Sequence, residues 1–150
     1  MRFVVYGTPV PQGSTRAFVP KGWTRPIITA ANSKTKPWRQ EIAGVAQGAG
    51  IAPWVSGTPI RVVINFYFER PKSLKKAIVD KVTKPDLDKL ARSALDALTG
   101  IAFTDDSQVT DLHVTKKFGT PARAEIEVSP EQEFEPKIPS DNDILALKPH

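Results

Sequence analysis

The feature that most constrains the fold is a strict apolar alternation between Pro59 and Arg70. Every second position in this segment is apolar, at Ile60, Val62, Ile64, Phe66 and Phe68. An alternation of period two predicts a strand with one face turned toward the core. Farther along, apolar residues recur at helical spacing over about Leu87–Leu98, and Gly100 follows them. That stripe predicts an amphipathic helix that packs on the sheet.

The remaining elements follow from shorter patterns of the same two kinds. A first helix is predicted to run to about Gly48, with Asn32 or Ser33 as its cap. A short helix is predicted within Ser73–Val82. The other predicted strands are Arg2–Tyr6, Val109–Phe118 and Ala122–Val128, together with a small hairpin of Ala17–Val19 and Ile27–Thr29. This order predicts a single α+β (α/β) domain in which two main helices pack on a mixed β-sheet.

The charge is divided between two parts of the chain. The whole sequence carries 21 basic and 16 acidic residues, a net charge of +5. Residues 129–150 hold five acids, two bases and four of the 14 prolines, which predicts a flexible acidic, proline-containing tail. Residues 1–128 then form the folded domain, with a charge of +8. That charge favours a polyanionic partner such as nucleic acid, although ordinary solvation of a basic protein explains it equally well.

Several classes of protein are excluded by composition. The chain has no cysteine, which excludes a disulfide scaffold, a thiolate zinc site and a cysteine nucleophile. No apolar run approaches the roughly 20 residues of a membrane span, and the apolar stretch at the N-terminus is too short for a signal peptide. We therefore expect a cytoplasmic protein without a membrane partner and without a small-molecule cofactor.

Two acidic clusters stand out against the basic background. Asp86 and Asp88 begin the second predicted helix, and Asp105 and Asp106 lie in the turn after it. Carboxylates weaken phosphate binding unless a divalent cation lies between the two, and Mg²⁺ commonly uses one or two carboxylates plus a substrate phosphate. The clusters therefore predict a magnesium site, with Mn²⁺ as a substitute. The alternative is structural: acids also suit helix starts and tight turns.

The geometry of such a site is demanding. Residues two apart on a helix point about 200° apart, so Asp86 and Asp88 converge only if Asp86 lies at the cap in an extended conformation. Asp106 must then be returned toward the helix start, and a strand running alongside the helix would do this. Arg92 lies one helical turn after Asp88. It either stabilises a phosphate or forms a surface ion pair with Asp88.

The segment KPDLDKLARSALDALTGIAFTDDSQVTDL resembles the RusA family of Holliday junction resolvases, which are crossover junction endodeoxyribonucleases common in phages and prophages. The likeness comprises the D-x-D at the helix start, the A-L-D-A-L-T-G helix end, and D-D-S-Q-V leading into a strand. It is close from Lys84 to about Leu112 and loose over Met1–Val128, and it leaves out the tail.

The resemblance implies a Mg²⁺-dependent homodimer that binds four-way junctions and other branched DNA. Such an enzyme cuts two strands symmetrically in recombination, repair or phage DNA processing, leaving a 5′ phosphate and a 3′ hydroxyl. The catalytic and metal-binding acids of the family fall on Asp86, Asp88 and Asp106, with Asp105 as outer-sphere support. The family's catalytic basic residue, usually Lys, falls on Arg92, which keeps the charge but cannot act as a general acid near neutral pH.

Basic residues predicted to contact DNA lie in three places: an early loop with aromatic neighbours, a lysine-rich segment, and the helix start, where the family often has Asn instead of Lys89. Interleaved basic and aromatic side chains suit a loop that contacts the DNA backbone. The predicted contacts are Arg16, Lys21, Arg25, Lys72, Lys75, Lys76, Lys81, Lys84 and Lys89. His113 and His150 have no metal-ligand spacing and are expected to be non-catalytic.

Two other functions remain open from the sequence. The first is a non-catalytic DNA-binding protein on the same fold, which would share the basic surface but would have no use for three carboxylates beside its phosphate site. The second is an interaction module that acts through the acidic tail.

Overall fold

A computed structural model describes residues 1–13, 15–30 and 32–131, excluding the side chains of residues 15, 16 and 28–30. Most of the predicted tail, residues 132–150, lies outside this description. The last described strand runs to Pro130, and the Glu131 N–H donates to the Pro59 carbonyl at 2.8 Å. Ser129 and Pro130, which the sequence assigned to the tail, therefore belong to the sheet.

The predicted mixed sheet is confirmed. Its strands are β1 (Arg2–Tyr6), β4 (Ile60–Phe68), β5 (Val109–Phe118) and β6 (Arg123–Pro130), in the order β1-β6-β4-β5. β4 and β5 are parallel, and the other pairs are antiparallel. The predicted hairpin is a separate two-stranded sheet of β2 (Thr15–Phe18) and β3 (Ile27–Ala30).

Two α-helices are described, α1 (Thr35–Gly48) and α2 (Leu87–Leu98). The bounds of α2 are those that the sequence predicted. The predicted caps of α1 are wrong, because its N-cap is Lys34. Asn32 instead accepts a 3.0 Å hydrogen bond on Oδ1 from the Lys34 N–H, which forms a local turn just before the helix. Neither described helix is long and apolar enough to cross a membrane.

The core lies between both helices and one face of the four-stranded sheet. The alternating residues of β4 are buried as predicted, and so are Ala124, Ile126 and Val128 of β6. The helices contribute Trp38, Ile42 and Ala46 from α1, and Leu90, Ala94 and Leu98 from α2. One contiguous cluster of this kind is what a small two-layer domain needs for stability.

The connection between β4 and β5 determines where the acidic residues lie. Because β4 and β5 are parallel neighbours, the chain must return across the sheet between them, and α2 is that return. The N-terminus of α2 therefore lies toward the carboxyl ends of β4 and β5, while its C-terminus lies toward their amino ends. Twelve helical residues separate the two ends by about 18 Å.

The predicted short helix at Ser73–Val82 is wrong. This segment consists of turns and a single bridge in which Asp80 pairs with Lys117. Its backbone is used by the edge of β5: the Lys81 N–H donates to the Lys116 carbonyl, and the Phe118 N–H donates to the Val79 carbonyl. Backbone groups that pair with a strand edge are not available to a helical ladder, which explains the difference.

Candidate active site

The start of α2 has the conformation that a pair of converging acids requires. Asp86 is the N-cap, with φ −68° and ψ 139°, which is the predicted extended conformation. Its carboxylate caps no backbone N–H of the helix. Instead its Oδ2 lies 3.4 Å from the Nζ atom of Lys89, and both side chains are about half exposed. The structural alternative, in which the Asp86 side chain caps the helix by a hydrogen bond, therefore loses its main support.

Asp88 and Arg92 are both exposed, one helical turn apart on α2. In the described part of the chain they form no ion pair with each other. The Asp88 carboxylate is thus available for a ligand. By contrast, Asp96 on the same helix forms an ion pair with Arg39 of α1, with 3.5 Å between the charged atoms.

The second acidic cluster is built differently. Asp105 caps a single 3₁₀ turn, Asp106–Gln108, and its Oδ1 accepts a 2.8 Å hydrogen bond from the Ser107 N–H. Hydrogen bonds from the backbone and hydroxyl of Ser107 lower the pKa of the Asp105 carboxyl. The Asp105 carboxylate therefore has a structural partner already, whereas Asp106 is exposed beside it.

One chain does not bring Asp106 to the other two acids. Asp86 and Asp88 lie at the amino end of α2, and Asp106 lies past the carboxyl end, directly before β5 begins. The strand that follows Asp106 starts there and runs away from it, so it cannot return Asp106 to the helix start as expected. Accordingly, residues 1–13, 15–30 and 32–131 contain no group of three His, Cys, Asp or Glu able to hold a metal.

Three lysines lie near Asp86. A cavity of about 440 Å³ opens beside it, and Lys34, Lys84 and Lys89 contribute to its lining. Most of its remaining wall is apolar and comes from Pro9, Val10, Pro11, Phe68 and Pro85. The predicted contacts Lys84 and Lys89 are therefore close to the acids. Lys34 was not predicted, since before α1 it reads as an ordinary surface lysine.

Two more lysines lie near the turn that precedes Asp86. Lys81 places its Nζ 5.4 Å and 5.5 Å from the ring centres of Phe68 and Phe118. Burial and, secondarily, the charge of Lys116 lower the pKa of the Lys81 ammonium. Lys116 donates from Nζ to the carbonyl oxygens of Thr83 and Pro85, each at 2.7 Å. Lys116 was also missed by the sequence reasoning, because it reads as one member of an alternating strand.

The other basic residues predicted to contact DNA are farther along the chain from the D-x-D. Lys72, Lys75 and Lys76 are exposed on the turns after β4. Lys21 and Arg25 are exposed between β2 and β3, together with Trp23, of which 60% is exposed. The side chain of Arg16 lies outside the described residues. An exposed aromatic ring between two cations retains the pattern of a backbone-contacting loop.

The histidine prediction concerns two residues. His113 lies on β5, and its Nε2 is 2.9 Å from Oδ1 of Asp111, which also pairs with Arg61. A contact between two residues of the same strand is consistent with a structural role for His113. His150 lies outside the described residues.

Comparison with known proteins identifies the family of the chain. A family model for endodeoxyribonuclease RusA matches residues 7–129. The chain is also 31% identical over 136 residues to YqaN of Bacillus subtilis (strain 168), described as an uncharacterized protein, across 84% of this chain and 93% of that one. The matched range includes both acidic clusters and Arg92. The chain therefore belongs to the RusA family of endodeoxyribonucleases.

Proposed function

We propose that this protein is a Mg²⁺-dependent endodeoxyribonuclease that resolves Holliday junctions and related branched DNA by paired, symmetric strand cleavage in recombination, repair or phage DNA processing. The observation that carries the proposal is the start of α2. Two exposed carboxylates project there from an extended cap and the first helical turn, among lysines, and neither carboxylate caps the helix. Family membership supports the nuclease reaction and the junction as substrate.

The donor set at the start of α2 fits a magnesium ion. Asp86 and Asp88 supply carboxylate oxygens, which Mg²⁺ prefers, and Mg²⁺ commonly takes one or two carboxylates plus substrate phosphate. When bound there, the ion would activate water and stabilise charge on the phosphate. Asp105 remains a candidate for outer-sphere support, although its carboxylate already accepts a hydrogen bond from Ser107.

The basic residues around the acids would orient the DNA. Arg92, one turn from Asp88, would stabilise the negative charge on the phosphate, because a guanidinium stays protonated near neutral pH. Lys84 and Lys89 flank Asp86 and would hold the adjoining backbone. Lysine contacts of this kind position the duplex without reading its sequence, so we expect selection by the shape of the junction.

A homodimer would complete the site. Asp86 precedes α2 and Asp106 lies beyond its opposite end, and the helix between them is about 18 Å long. A two-fold arrangement that sets the start of α2 in one subunit beside Asp106 of a second subunit would assemble three carboxylates twice. Two such sites would also account for paired cuts in two strands.

Cleavage of a synthetic four-way junction in Mg²⁺ tests the proposal. We expect the wild-type chain to nick or resolve the junction, and Asp88→Asn to lose activity by at least about 100-fold, because a metal-binding carboxylate is removed. Asp80→Asn is the matched control: it makes the same change of charge at an exposed residue of the preceding segment.

Equal cleavage by wild type and Asp88→Asn would contradict the assignment of the acids. Binding of the junction without cleavage, in either Mg²⁺ or Mn²⁺, would instead support a non-catalytic DNA-binding protein on this fold. Deleting residues 132–150 provides a further control, because cleavage of bare junctions should survive the deletion if the tail acts only through other proteins.

A further inference from the structure

The turn that leads into Asp86 has no apolar anchor in the core. None of residues 69–86 is buried, although the two elements on either side, β4 and α2, are firmly packed. A segment of this kind is held by polar contacts or is free to open locally. The position of Asp86 therefore depends on whichever polar groups fix the turn.

Lys116 makes more of the polar contacts near Asp86 than any other described residue. From β5, its Nζ donates to the carbonyl oxygens of Thr83 and Pro85, each at 2.7 Å. Its own carbonyl accepts a hydrogen bond from the Lys81 N–H at 3.2 Å. Lys116 thus holds the turn at alternate residues up to the one that precedes Asp86.

These hydrogen bonds are of a strong kind. A charged ammonium donor shortens and strengthens a hydrogen bond relative to a neutral donor. Lys116 is half-buried, and in the described part of the chain it forms no ion pair. Two of the three N–H groups of the ammonium point at backbone carbonyls, which leaves one for solvent or DNA.

We propose that Lys116 is a positioning residue that holds the Thr83–Pro85 turn and thereby sets Asp86 and Asp88 for the cleavage reaction. This inference rests on the proposed nuclease function and adds a residue to it. Lys116 acts through the backbone and does not contact the carboxylates. Removing it is expected to loosen the approach to α2 while leaving the core intact.

Lys117 provides a matched control. It is the next residue on β5, so it projects to the opposite face of the sheet, and its side chain makes no hydrogen bond or ion pair in the described part. Lys116→Met and Lys117→Met remove the same charge from neighbouring positions. Lys116→Arg keeps a charged donor group that can still reach backbone carbonyls.

The first measurement is hydrogen exchange of the free protein. The Lys81 and Leu90 amides report on the turn, because they donate to the Lys116 and Asp86 carbonyls. In Lys116→Met we expect faster exchange at these amides and unchanged exchange in β1 and β6. Lys116→Arg and Lys117→Met should both resemble wild type.

The second measurement is the dissociation constant of Mn²⁺, obtained from the electron paramagnetic resonance signal of the free ion. Loss of a residue that orients metal ligands typically weakens metal binding by about 10-fold or more, so we expect about 10-fold weaker binding in Lys116→Met. Its kcat on a four-way junction should fall in parallel, whereas its KM should change no more than in Lys117→Met.

Two outcomes would overturn the proposal. One is a Lys116→Met variant that matches Lys117→Met in exchange at the turn and in Mn²⁺ binding. The other is faster exchange throughout the sheet, which would make Lys116 a general stabilising residue. If wild type fails to cleave any junction, the proposed function is wrong, and the exchange comparison still decides whether Lys116 holds the turn.

Discussion

The two ends of helix α2 adjoin the two acidic clusters of the chain, yet they are built in opposite ways. At the amino end, Asp86 and Asp88 are exposed, and the chain that leads to them is held by polar contacts. At the carboxyl end, Phe103 and Gln108 are buried, and Asp105 is tied to Ser107. The difference indicates that the amino end can adjust to a ligand, whereas the carboxyl end presents Asp106 from a rigid base.

The largest expected effect comes from joining the two ends across subunits. Asp88→Asn and Asp106→Asn should each be inactive on a four-way junction. In a mixed dimer of the two variants with the proposed composite sites, one site would carry both substitutions and the other would carry neither. We therefore expect mixing to restore nicking of one strand, as resolved on a denaturing gel.

The control for this prediction is a mixture of Asp86→Asn with Asp88→Asn. Both substitutions lie at the same end of α2, so every site in that mixed dimer is damaged and no activity should return. If the Asp88→Asn and Asp106→Asn mixture also stays inactive while mixed dimers are present, the two ends of α2 do not meet across an interface.

An intermediate effect is expected at the rigid end. Gln108 accepts hydrogen bonds from the N–H groups of Thr104 and Asp105, and donates to the carbonyls of Val55 and Thr58. Gln108→Ala leaves buried polar groups without partners, so the free energy of unfolding should fall by about 2 kcal/mol. Urea denaturation measures this change.

The comparison between the ends becomes sharper with Lys116→Met under the same conditions. We expect that variant to lose less stability than Gln108→Ala, because Lys116 is only half-buried and water can replace its two lost hydrogen bonds, whereas Gln108 is buried. A larger loss in Lys116→Met than in Gln108→Ala would reverse the assignment of a rigid and an adjustable end.

The smallest effect is expected from the ion pair at the adjustable end. Lys89 lies 3.4 Å from a carboxylate oxygen of Asp86 and would compete for it with the proposed metal ion. An exposed pair of this kind contributes at most about 1 kcal/mol, so Lys89→Asn should tighten Mn²⁺ binding by no more than about fivefold. Lys76→Asn, which removes a more distant exposed lysine, is the control, and weaker binding in Lys89→Asn would contradict this interpretation.

Periodic segments were the predictable part of the fold. The bounds of α2 follow from the sequence because the helix buries one continuous face. The bounds of β5 were also predicted, although none of its side chains is fully buried. The predictions for the cap of α1 and for a helix at Ser73–Val82 were wrong for a shared reason. Both depend on backbone groups with partners outside a regular element: Asn32 receives the Lys34 N–H, and residue 81 pairs with the edge of β5.

The site was predictable only at short range. The extended cap at Asp86 follows from local sequence, because an N-cap residue usually has extended backbone geometry and Pro85 disfavours helical geometry at Lys84. The distance to Asp106 does not, since it depends on β4 and β5 being parallel. The role of Lys116 could not be predicted either. Lys116 and Lys117 are identical neighbours, and only the pairing of the strands shows which of them lies on the side of α2.

The length of α2 has a consequence for the product of the reaction. If each composite site joins the start of one α2 to Asp106 of the other subunit, the two sites are separated by the distance between Asp86 and Asp106 of a single chain. That distance spans α2, which is itself about 18 Å long. The length of the helix then contributes directly to the distance between the two cuts. Its twelve residues, together with the turn that carries Asp106, would set which phosphates of a junction are reached together.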